Sequence, residues 1–294
     1  MNKGQLFNQR PVLGILGGSG LYSMPGMEDI QEYAPDTPFG TPSSPIIVGT
    51  LEGQRVAFLA RHGIGHHISP SEVNYRANIY AFKFLGVERL LSISACGSLR
   101  EDYAPGNIVI PAQLFDFTKD RKRTFFREGC VAHISSADPF CSDFAEQLYH
   151  AVLATEATVH MGGTFITIEG PRFSTRAESN TFRAWGMDII GMTTSPEASL
   201  AREAELCYAV MAHVTDYDVW HTTEEAVSVE LVIRILKQNT QIAQQTIHHL
   251  VRELKPERNC ECPNALASAL ITNPKVILPE TRKRLGLLVD KYLK

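Results

Sequence analysis

The chain has 294 residues, 44% of them hydrophobic and 20% charged, with a formal net charge of −4 at pH 7. This composition predicts a globular protein and argues against nucleic acid or an anionic membrane as the main partner. No apolar run approaches the roughly 20 residues that span a bilayer, and the first residues lack the apolar core of a signal peptide. We therefore expect a cytoplasmic enzyme.

The first half of the chain contains two strands that end in small or cationic residues. Residues 12–16, VLGIL, predict a buried strand, and the glycine-rich run that follows, which includes Ser19, suits either an anion or a plain tight turn. Two more strands, 46–51 and 56–60, lead to Arg61, whose guanidinium suits a bidentate oxyanion contact. His62, His66 and His67 suggest a metal site. However, the glycines between them interrupt any helix, so the histidines do not match the pattern of metal ligands on one helix face.

A helix over residues 70–86 precedes a strand at 90–93 and a second small-residue turn at 94–98, SACGS. Cys96 in this turn is either a nucleophile or, as we favour, a buried thiol. The basic residues between 119 and 123 read as a solvated loop. Strands at 106–111, 161–168 and 187–194 and helices at 139–155 and from 195 follow. The spacing of Thr175 and Glu178 predicts a capping box, and Glu169 with Arg172 is either an ion pair or a ligand contact.

The stretch 207–220, CYAVMAHVTDYDVW, has the strongest signal for chemistry. Its apolar part predicts a strand buried on both faces, and open α/β sheets bind ligands beyond the carboxyl ends of such strands. Asp216 and Asp218 would point the same way if the chain stays extended, although an Asp-rich turn explains them equally. An amphipathic helix at 228–254 and a helical tail from about 255 follow. Without a linker or repeat, residues 1–294 are predicted to form one domain.

The six cysteines do not form a common metal motif in the sequence. Cys260 and Cys262 are separated by one residue, an unusual spacing for zinc, and no partner pair stands nearby in the chain. Reduced thiols are favoured over disulfides for them, and the redox state of Cys141 and Cys207 stays open.

Nine stretches together resemble the trimeric purine nucleoside phosphorylases, and among them those that act on 5′-methylthioadenosine. They run from residue 14 to residue 220 and include GILGGSGLY (14–22), LARHGIGH (59–66), SACGSLRE (94–101), TIEGPRFSTRAES (167–179), MTTSPEASLARE (192–203) and TDYDVW (215–220). The resemblance implies an α/β fold with a mixed sheet partly closed into a barrel and surrounded by helices, a homotrimer, and phosphorolysis without a cofactor, with inorganic phosphate as co-substrate.

The resemblance also assigns residues to the two substrates. Phosphate is expected among Ser19, Arg61, His62, Ser94, Ala95 and Thr193. The purine is expected near Asp216, Asp218, Ser174, Phe173 and Thr215, with Met192 against the ribose. Val229, Val232 and His133 of an adjacent subunit are expected at the 5′ end of the nucleoside, although the valines fit ordinary helix core equally. In this arrangement Asp216 is the acid at purine N7, which requires a raised pKa.

Three alternatives remain open at this point. A phosphorylase of 6-oxopurine nucleosides or of methylthioinosine is disfavoured by the two aspartates, because a carboxylate accepts from an amino group but an amide suits a carbonyl oxygen. A nucleotide-binding module would leave Asp216 without a role. A metal hydrolase built on His62 and His66 would require a chelatable metal and water as the nucleophile.

Overall fold

The fold is built around one mixed sheet with helices on both faces. The computed structural model describes residues 10–17, 24–222 and 227–293, apart from the side chains of residues 236–238. The strands of the described part are β1 (Leu13–Gly17), β2 (Glu28–Tyr33), β3 (Ile46–Leu51), β4 (Gln54–Ala60), β5 (Arg89–Ser98), β6 (Ile108–Ile110), β7 (Gln113–Phe117), β8 (Val159–Met161), β9 (Thr164–Ile168), β10 (Ile189–Gly191) and β11 (Cys207–Asp216).

The centre of the sheet is parallel, and this explains its composition. β1 pairs in parallel with β4 and β5, and β5 pairs in parallel with β11. Every residue of β1 and β11 is buried, as expected for strands that carry helices on both faces. β3 pairs antiparallel with β2 and β4, and β10 pairs antiparallel with β5 but parallel with β9, so the sheet is mixed.

The helices are α1 (Tyr75–Phe84), α2 (Ser142–Leu153), α3 (Arg176–Ala184), α4 (Thr194–Glu203), α5 (Val229–Glu253) and α6 (Pro279–Val289). Residues of α1, α4 and α6 share one apolar core, and residues of α2 and α5 share a second core with the other face of the sheet. Within the described ranges, none of the helices combines the length and the apolar character that a membrane span requires. The two cores thus cover the parallel strands on both faces.

The predicted elements are confirmed in kind, with four corrections. The residues predicted as a turn at 94–98 belong to β5, which continues because β11 pairs with it as far as Gly97. The strand predicted at 161–168 is divided into β8 and β9 by Gly162 and Gly163, which both have positive φ. β2 was not predicted, because its exposed sequence, EDIQEY, has no apolar alternation, and it forms by backbone pairing with β3. β7 was not predicted either, because its sequence, QLFDF, is short and largely exposed, and it forms by parallel pairing with β9.

The strand pairing bears on the barrel that the resemblance implies. Among the described residues the pairs form one branched sheet, from β2 through β5 to β7, with β11, β6 and β8 as a branch. These pairs do not close into a ring. The mixed α/β architecture is therefore confirmed, whereas partial closure into a barrel stays a prediction.

Candidate active site

An opening beside β5 brings the predicted anion-binding residues together. Residues 90–92 pair with β1, and residues 97–98 pair with β10, so residues 93–96 have no strand on that side among the described pairs. On the other side, β11 accompanies β5 throughout. Since β1, β4, β5 and β11 are parallel, their carboxyl ends meet at this opening, where open α/β sheets bind ligands.

Arg61 follows β4, and its side chain enters the opening. The residue is 1% exposed, and its Nη1 donates to the carbonyl of Ile93 at 3.1 Å. Nε donates to Glu197 at 2.5 Å, and Nη2 donates to the hydroxyl of Ser92 at 2.6 Å. One Nη1 hydrogen is left without a partner among the described residues. The predicted bidentate contact of this guanidinium is thus not available in this arrangement, because Glu197 already occupies Nε and Nη2.

Glu197 is the functional partner that the sequence analysis missed. It is fully buried at the start of α4 and also accepts from the hydroxyls of Ser92 at 3.0 Å and Tyr208 at 2.8 Å. A buried ion pair with this many hydrogen bonds satisfies both charges and fixes Arg61. In the sequence, Glu197 stands after a proline and reads as an ordinary residue of a first helical turn, so no local signal identifies its partner 136 positions away.

Two hydroxyl groups form the polar floor of the opening. Oγ of Ser94 lies 3.3 Å from Oγ1 of Thr193, and both residues are buried. They meet because β10 runs antiparallel to the end of β5 and returns the chain toward Ser94. Ala95 follows Ser94 on β5. Ser19, the remaining hydroxyl predicted for this site, lies outside the described residues.

His62 is neutral at pH 7 in this position. Burial, followed by the charge of Arg61, lowers the pKa of the imidazole to about 4. Nδ1 lies 2.9 Å from the carbonyl of Ile68, so it carries the hydrogen and Nε2 is an acceptor. The ring stacks on His66 with centroids 4.4 Å apart. In the described part of the chain, these histidines belong to no group of three or more potential metal ligands, which gives the metal-hydrolase interpretation no support.

The aspartate pair lies at the other end of the opening. The structure combines the two sequence interpretations of this pair, a strand end and an Asp-rich turn. The strand stops at Asp216, and Asp218 has a positive φ of 50°, a left-handed conformation that aspartate tolerates. The turn directs the N–H of Asp218 to Oδ1 of Asp216 at 2.8 Å, while the hydroxyl of Thr215 donates to Oδ2 at 2.6 Å. The carboxylates are therefore held together by a turn and not by strand alternation.

Burial dominates the electrostatics of this pair. It raises the pKa of Asp216 to about 6, with a smaller contribution from the charge of Asp218, although the two hydrogen bonds to Asp216 oppose the shift. Burial also raises the pKa of Asp218, although the nearby hydroxyls of Ser179 and Ser174, which form no hydrogen bond in the described part of the chain, favour its charged form. Oδ2 of Asp218 and Oγ of Ser174 are buried with no hydrogen-bond partner in the described part, so both are available to a ligand. Asp216 has the raised pKa that an acid at this position requires.

Gly97 makes room for the pair. An added Cβ there would lie 2.8 Å from Oδ1 of Asp216 and 3.1 Å from a methyl group of Ile190. Any larger residue at this point of β5 would displace the carboxylate. Gly97 of the SACGS stretch therefore serves close packing against the aspartates, and not a turn.

Loop residues 169–174 and Met192 border the opening. A Cβ added to Gly170 would lie only 2.6 Å from Sδ of Met192, so the loop packs closely on this side chain. Phe173, in the same loop, is 36% exposed. Arg121 donates to the carbonyl of Met192 at 2.6 Å and to that of Glu169 at 2.8 Å, and it is buried. The prediction of a solvated basic loop is thus wrong for Arg121, which holds two of the loops that border the site.

The other suggested ion pair in this region is also corrected. Arg172 pairs with Glu178 of the capping box at 2.6 Å, whereas Glu169 accepts from Arg121 at 3.3 Å and from the backbone of residues 119 and 120. Glu169 and Arg172 do not pair because the turn at Gly170 separates them. The capping box itself is confirmed, with both reciprocal hydrogen bonds present.

The residues predicted for the 5′ end are placed less completely. Val229 begins α5 and is 58% exposed, and Val232 is half-buried on the same turn. The N–H of Val227 donates to the carbonyl of Asp218 at 3.1 Å, which brings the start of α5 next to the aspartates. His133 is exposed, and its backbone N–H donates to the carbonyl of Ala269 at 2.8 Å. The exposure of Val229 disfavours the alternative that it is ordinary helix core.

Comparison with known proteins gives concordant matches. A family model described as the phosphorylase superfamily matches residues 12–254. S-methyl-5′-thioadenosine phosphorylase from Geobacter sulfurreducens is 53% identical over 283 residues, which cover 96% of this chain and 99% of that protein. The relative of the same name from Hyperthermus butylicus is 52% identical over 263 residues, covering 88% of this chain and 95% of that protein.

Solved structures agree with these relatives. The crystal structure of a methylthioadenosine phosphorylase from an Antarctic soil metagenomic library superposes with a TM-score of 0.91 at 46% identity, covering 95% of this chain and 99% of that one. Methylthioadenosine phosphorylase from Schistosoma mansoni in complex with adenine gives a TM-score of 0.80 at 36% identity, covering 88% and 97% of the two chains.

Proposed function

The chain belongs to the phosphorylase superfamily, and we propose that it cleaves S-methyl-5′-thioadenosine with inorganic phosphate, giving adenine and 5-methylthioribose 1-phosphate. The reaction is that of a pentosyltransferase in purine and methionine salvage. The names of relatives that are about half identical over nearly the whole chain support this substrate. The geometry of the opening beside β5 supports the same reaction independently.

One observation carries the proposal: the opening has hydroxyl groups at one end and a raised-pKa acid at the other. Ser94 faces Thr193, and three residues further along β5, Gly97 is in register with Asp216. At about 3.3 Å per residue this separates the two ends by about 10 Å along the strand. That distance leaves room for a sugar between an oxyanion and a purine.

Phosphate would lie at the hydroxyl end. Ser94 and Thr193 can donate to its oxygens, together with the backbone at Ala95, Ser19 and the remaining Nη1 hydrogen of Arg61. The neutral His62 is an acceptor at Nε2 and suits a protonated phosphate oxygen. Because Glu197 neutralises Arg61, these hydrogen bonds, more than net positive charge, would select the anion.

The purine would lie at the aspartate end. As a phosphate oxygen bonds to C1′, the C1′–N9 bond breaks and its electron pair moves to the base. Asp216 in its protonated form would donate to N7 and relieve that negative charge. Asp218, whose Oδ2 is available, would accept from the 6-amino group, with Ser174 and Thr215 nearby, Phe173 against the base and Met192 against the ribose.

A second candidate, phosphorolysis of 6-oxopurine nucleosides or of methylthioinosine, uses the same phosphate end. The available Oδ2 of Asp218 is buried and acceptor-only when ionised, so it would leave a 6-carbonyl oxygen facing an acceptor. Discrimination by such a mismatch is strong, because buried polar groups are left unpaired. Adenine is therefore the favoured base.

The proposal extends to assembly and to the 5′ end of the nucleoside. We propose a homotrimer in which His133 of the partner subunit completes the pocket beside Val229 and Val232. Phe115, Phe117 and Trp185 support subunit contact, since they pack on one another and remain 38%, 37% and 51% exposed. We further propose that residues 1–294 act as one domain, partly closed into a barrel, in the cytoplasm and without a cofactor.

The test measures base release from methylthioadenosine, adenosine and inosine, each with and without phosphate. We expect phosphate-dependent release of adenine, fastest from methylthioadenosine, and its loss in Asp216→Ala with the fold retained by circular dichroism. Ser94→Ala should raise the KM for phosphate more than that for the nucleoside, whereas the matched control Ser199→Ala, a hydroxyl on α4, should change neither. Release without phosphate, or faster release from inosine, would overturn the proposal.

A further inference from the structure

Four cysteines from three separate parts of the chain form a cluster at the far end of β11 from the aspartates. Cys141 precedes α2, Cys207 begins β11, and Cys260 and Cys262 lie in the tail beyond α5. Their sulfur atoms all lie within 4.8 Å of one another, and those of Cys207 and Cys260 are 3.4 Å apart. The sequence spacing hid this cluster, because the partners of the Cys260 and Cys262 pair stand far away in the chain.

The backbone around the cluster holds the sulfurs in place without a disulfide bond between them. The N–H of Cys141 donates to the carbonyl of Tyr208 at 2.9 Å, and the N–H of Cys207 donates to that of Glu88 at 2.9 Å. All four cysteines are free thiols in the structure, and only Cys260 is more than slightly exposed. The sulfurs thus converge because of the fold, as in a preformed ligand set.

We propose that Cys141, Cys207, Cys260 and Cys262 bind one zinc ion as a structural site. Four thiolates at about 2.3 Å from a tetrahedral zinc ion lie about 3.8 Å from one another. The sulfurs of Cys207 and Cys260 are 3.4 Å apart and no separation in the cluster exceeds 4.8 Å, so the four sulfurs are spaced as such a site requires. Soft sulfur ligands in a closed tetrahedral set select zinc among the common divalent ions.

The surroundings suit a buried group of thiolates. Cys141 is the N-cap of the 12-residue helix α2, where the positive end of the helix dipole favours an anion. Four thiolates and one zinc ion carry a net charge of −2, so a nearby cation is also needed.

Arg89 supplies that cation and joins the cluster to the tail. It is 3% exposed on β5, in register with Cys207 on the neighbouring strand. Its Nη2 donates to the carbonyl of Lys255 and to that of Glu257, both at 2.7 Å, in the segment that leads to Cys260. Its Nε is buried and has no hydrogen-bond partner in the described part of the chain. Arg89 therefore positions two of the ligands while it offsets their charge.

The site would fasten the tail to the sheet and take no part in catalysis. The match to the family model ends at residue 254, and Cys260 and Cys262 lie just beyond it. Bound zinc would tie this tail to the first residue of β11, whose last residue is Asp216. The metal would thus stabilise the strand that carries the aspartates from its opposite end.

Metal content of the full-length protein tests the proposal. The untagged protein is produced in zinc-supplemented medium, purified under reducing conditions without chelator, and analysed by inductively coupled plasma mass spectrometry. We expect about one zinc ion per chain in the native protein and below about a tenth in Cys262→Ser, with the native value kept in the matched control Cys130→Ser, a buried cysteine outside the cluster. Replacement of zinc by cobalt should give the visible absorption of a tetrahedral thiolate site in the native protein and in Cys130→Ser, but not in Cys262→Ser.

Three outcomes would overturn the site. One is native protein that binds neither zinc nor cobalt and has all its thiols titratable after denaturation. Another is native protein alkylated during lysis whose mass and peptide map show disulfides among these four cysteines. The third is zinc kept in Cys262→Ser. If that variant fails to fold, the zinc content and cobalt spectrum of the native protein decide the question alone.

Discussion

Replacing Asp216 with asparagine should stabilise the protein at neutral pH while it removes the acid from the site. The amide has the shape of the carboxylate and can keep its contacts. Its oxygen accepts from the N–H of Asp218, and its NH₂ group donates to Thr215, whose own hydrogen turns to the carbonyl of Cys96, 3.2 Å away. What changes is the charge, which is costly at 3% exposure.

The pKa of Asp216 sets the size and the pH range of this effect. Its pKa is about 6 in the folded protein against an ordinary 3.8, so the folded state holds the proton more tightly. The stability that this proton contributes is complete below about pH 4 and is lost as the pH rises through 6. The loss amounts to about 3 kcal/mol above that pH, at 1.36 kcal/mol per pKa unit. Asparagine does not titrate, so the Asp216→Asn variant should not show this loss of stability.

Urea unfolding of both proteins between pH 5 and pH 7.5, at one fixed protein concentration, measures this difference. The advantage of Asp216→Asn in the free energy of unfolding should grow by about 1.4 kcal/mol over that range. Its turnover should fall by about 10²–10⁴-fold, because an amide cannot transfer a proton. A stability difference that is independent of pH would refute the raised pKa, and retained turnover would refute the acid role.

Three further changes test other parts of the site. Glu197→Gln leaves the Arg61 charge buried without a negative partner and should lower the free energy of unfolding by about 3–5 kcal/mol. The control Asp102→Asn, in the exposed pair with Arg100, should lower it by no more than about 1 kcal/mol. Equal effects of the two changes would mean that the buried pair does not stabilise the fold. Asp218→Asn should shift the ratio of kcat/KM values toward inosine, and an unchanged ratio would mean that the base is read elsewhere. Thr175→Ala should cost about 1 kcal/mol in thermal or urea unfolding through loss of the capping box, and no change would mean that the cap is dispensable.

The local signals in the sequence were sufficient for most elements of the fold. Apolar runs such as residues 12–16 and 207–214 identify buried strands because the hydrophobic pattern is itself the cause of burial. The capping box at Thr175 identifies a helix start because its hydrogen bonds are local. The exposed strands β2 and β7 were missed, since only pairing with β3 and with β9 makes them strands.

The residues of the site also fall into two groups, those with a local signal in the sequence and those whose contacts come from distant parts of the chain. Arg61, Ser94 and Asp216 were identified from strand ends, where parallel sheets place their ligands, and the structure brings these ends to one opening. The contacts of Arg61 were not predictable, because its partner Glu197 comes from a helix on one face of the sheet. Arg121 was read as solvated for the same reason, since its acceptors are carbonyls of distant loops.

By itself, the sequence determined which strands are buried, where they end and which side chains stand at those ends, because these depend on residue order and local hydrophobic pattern. Only the tertiary structure decided which charges are neutralised, how far the pKa of Asp216 is raised, and which four cysteines meet. These properties depend on burial and on contacts between residues as far apart as Cys141 and Cys262, and packing of the helices on the sheet creates both.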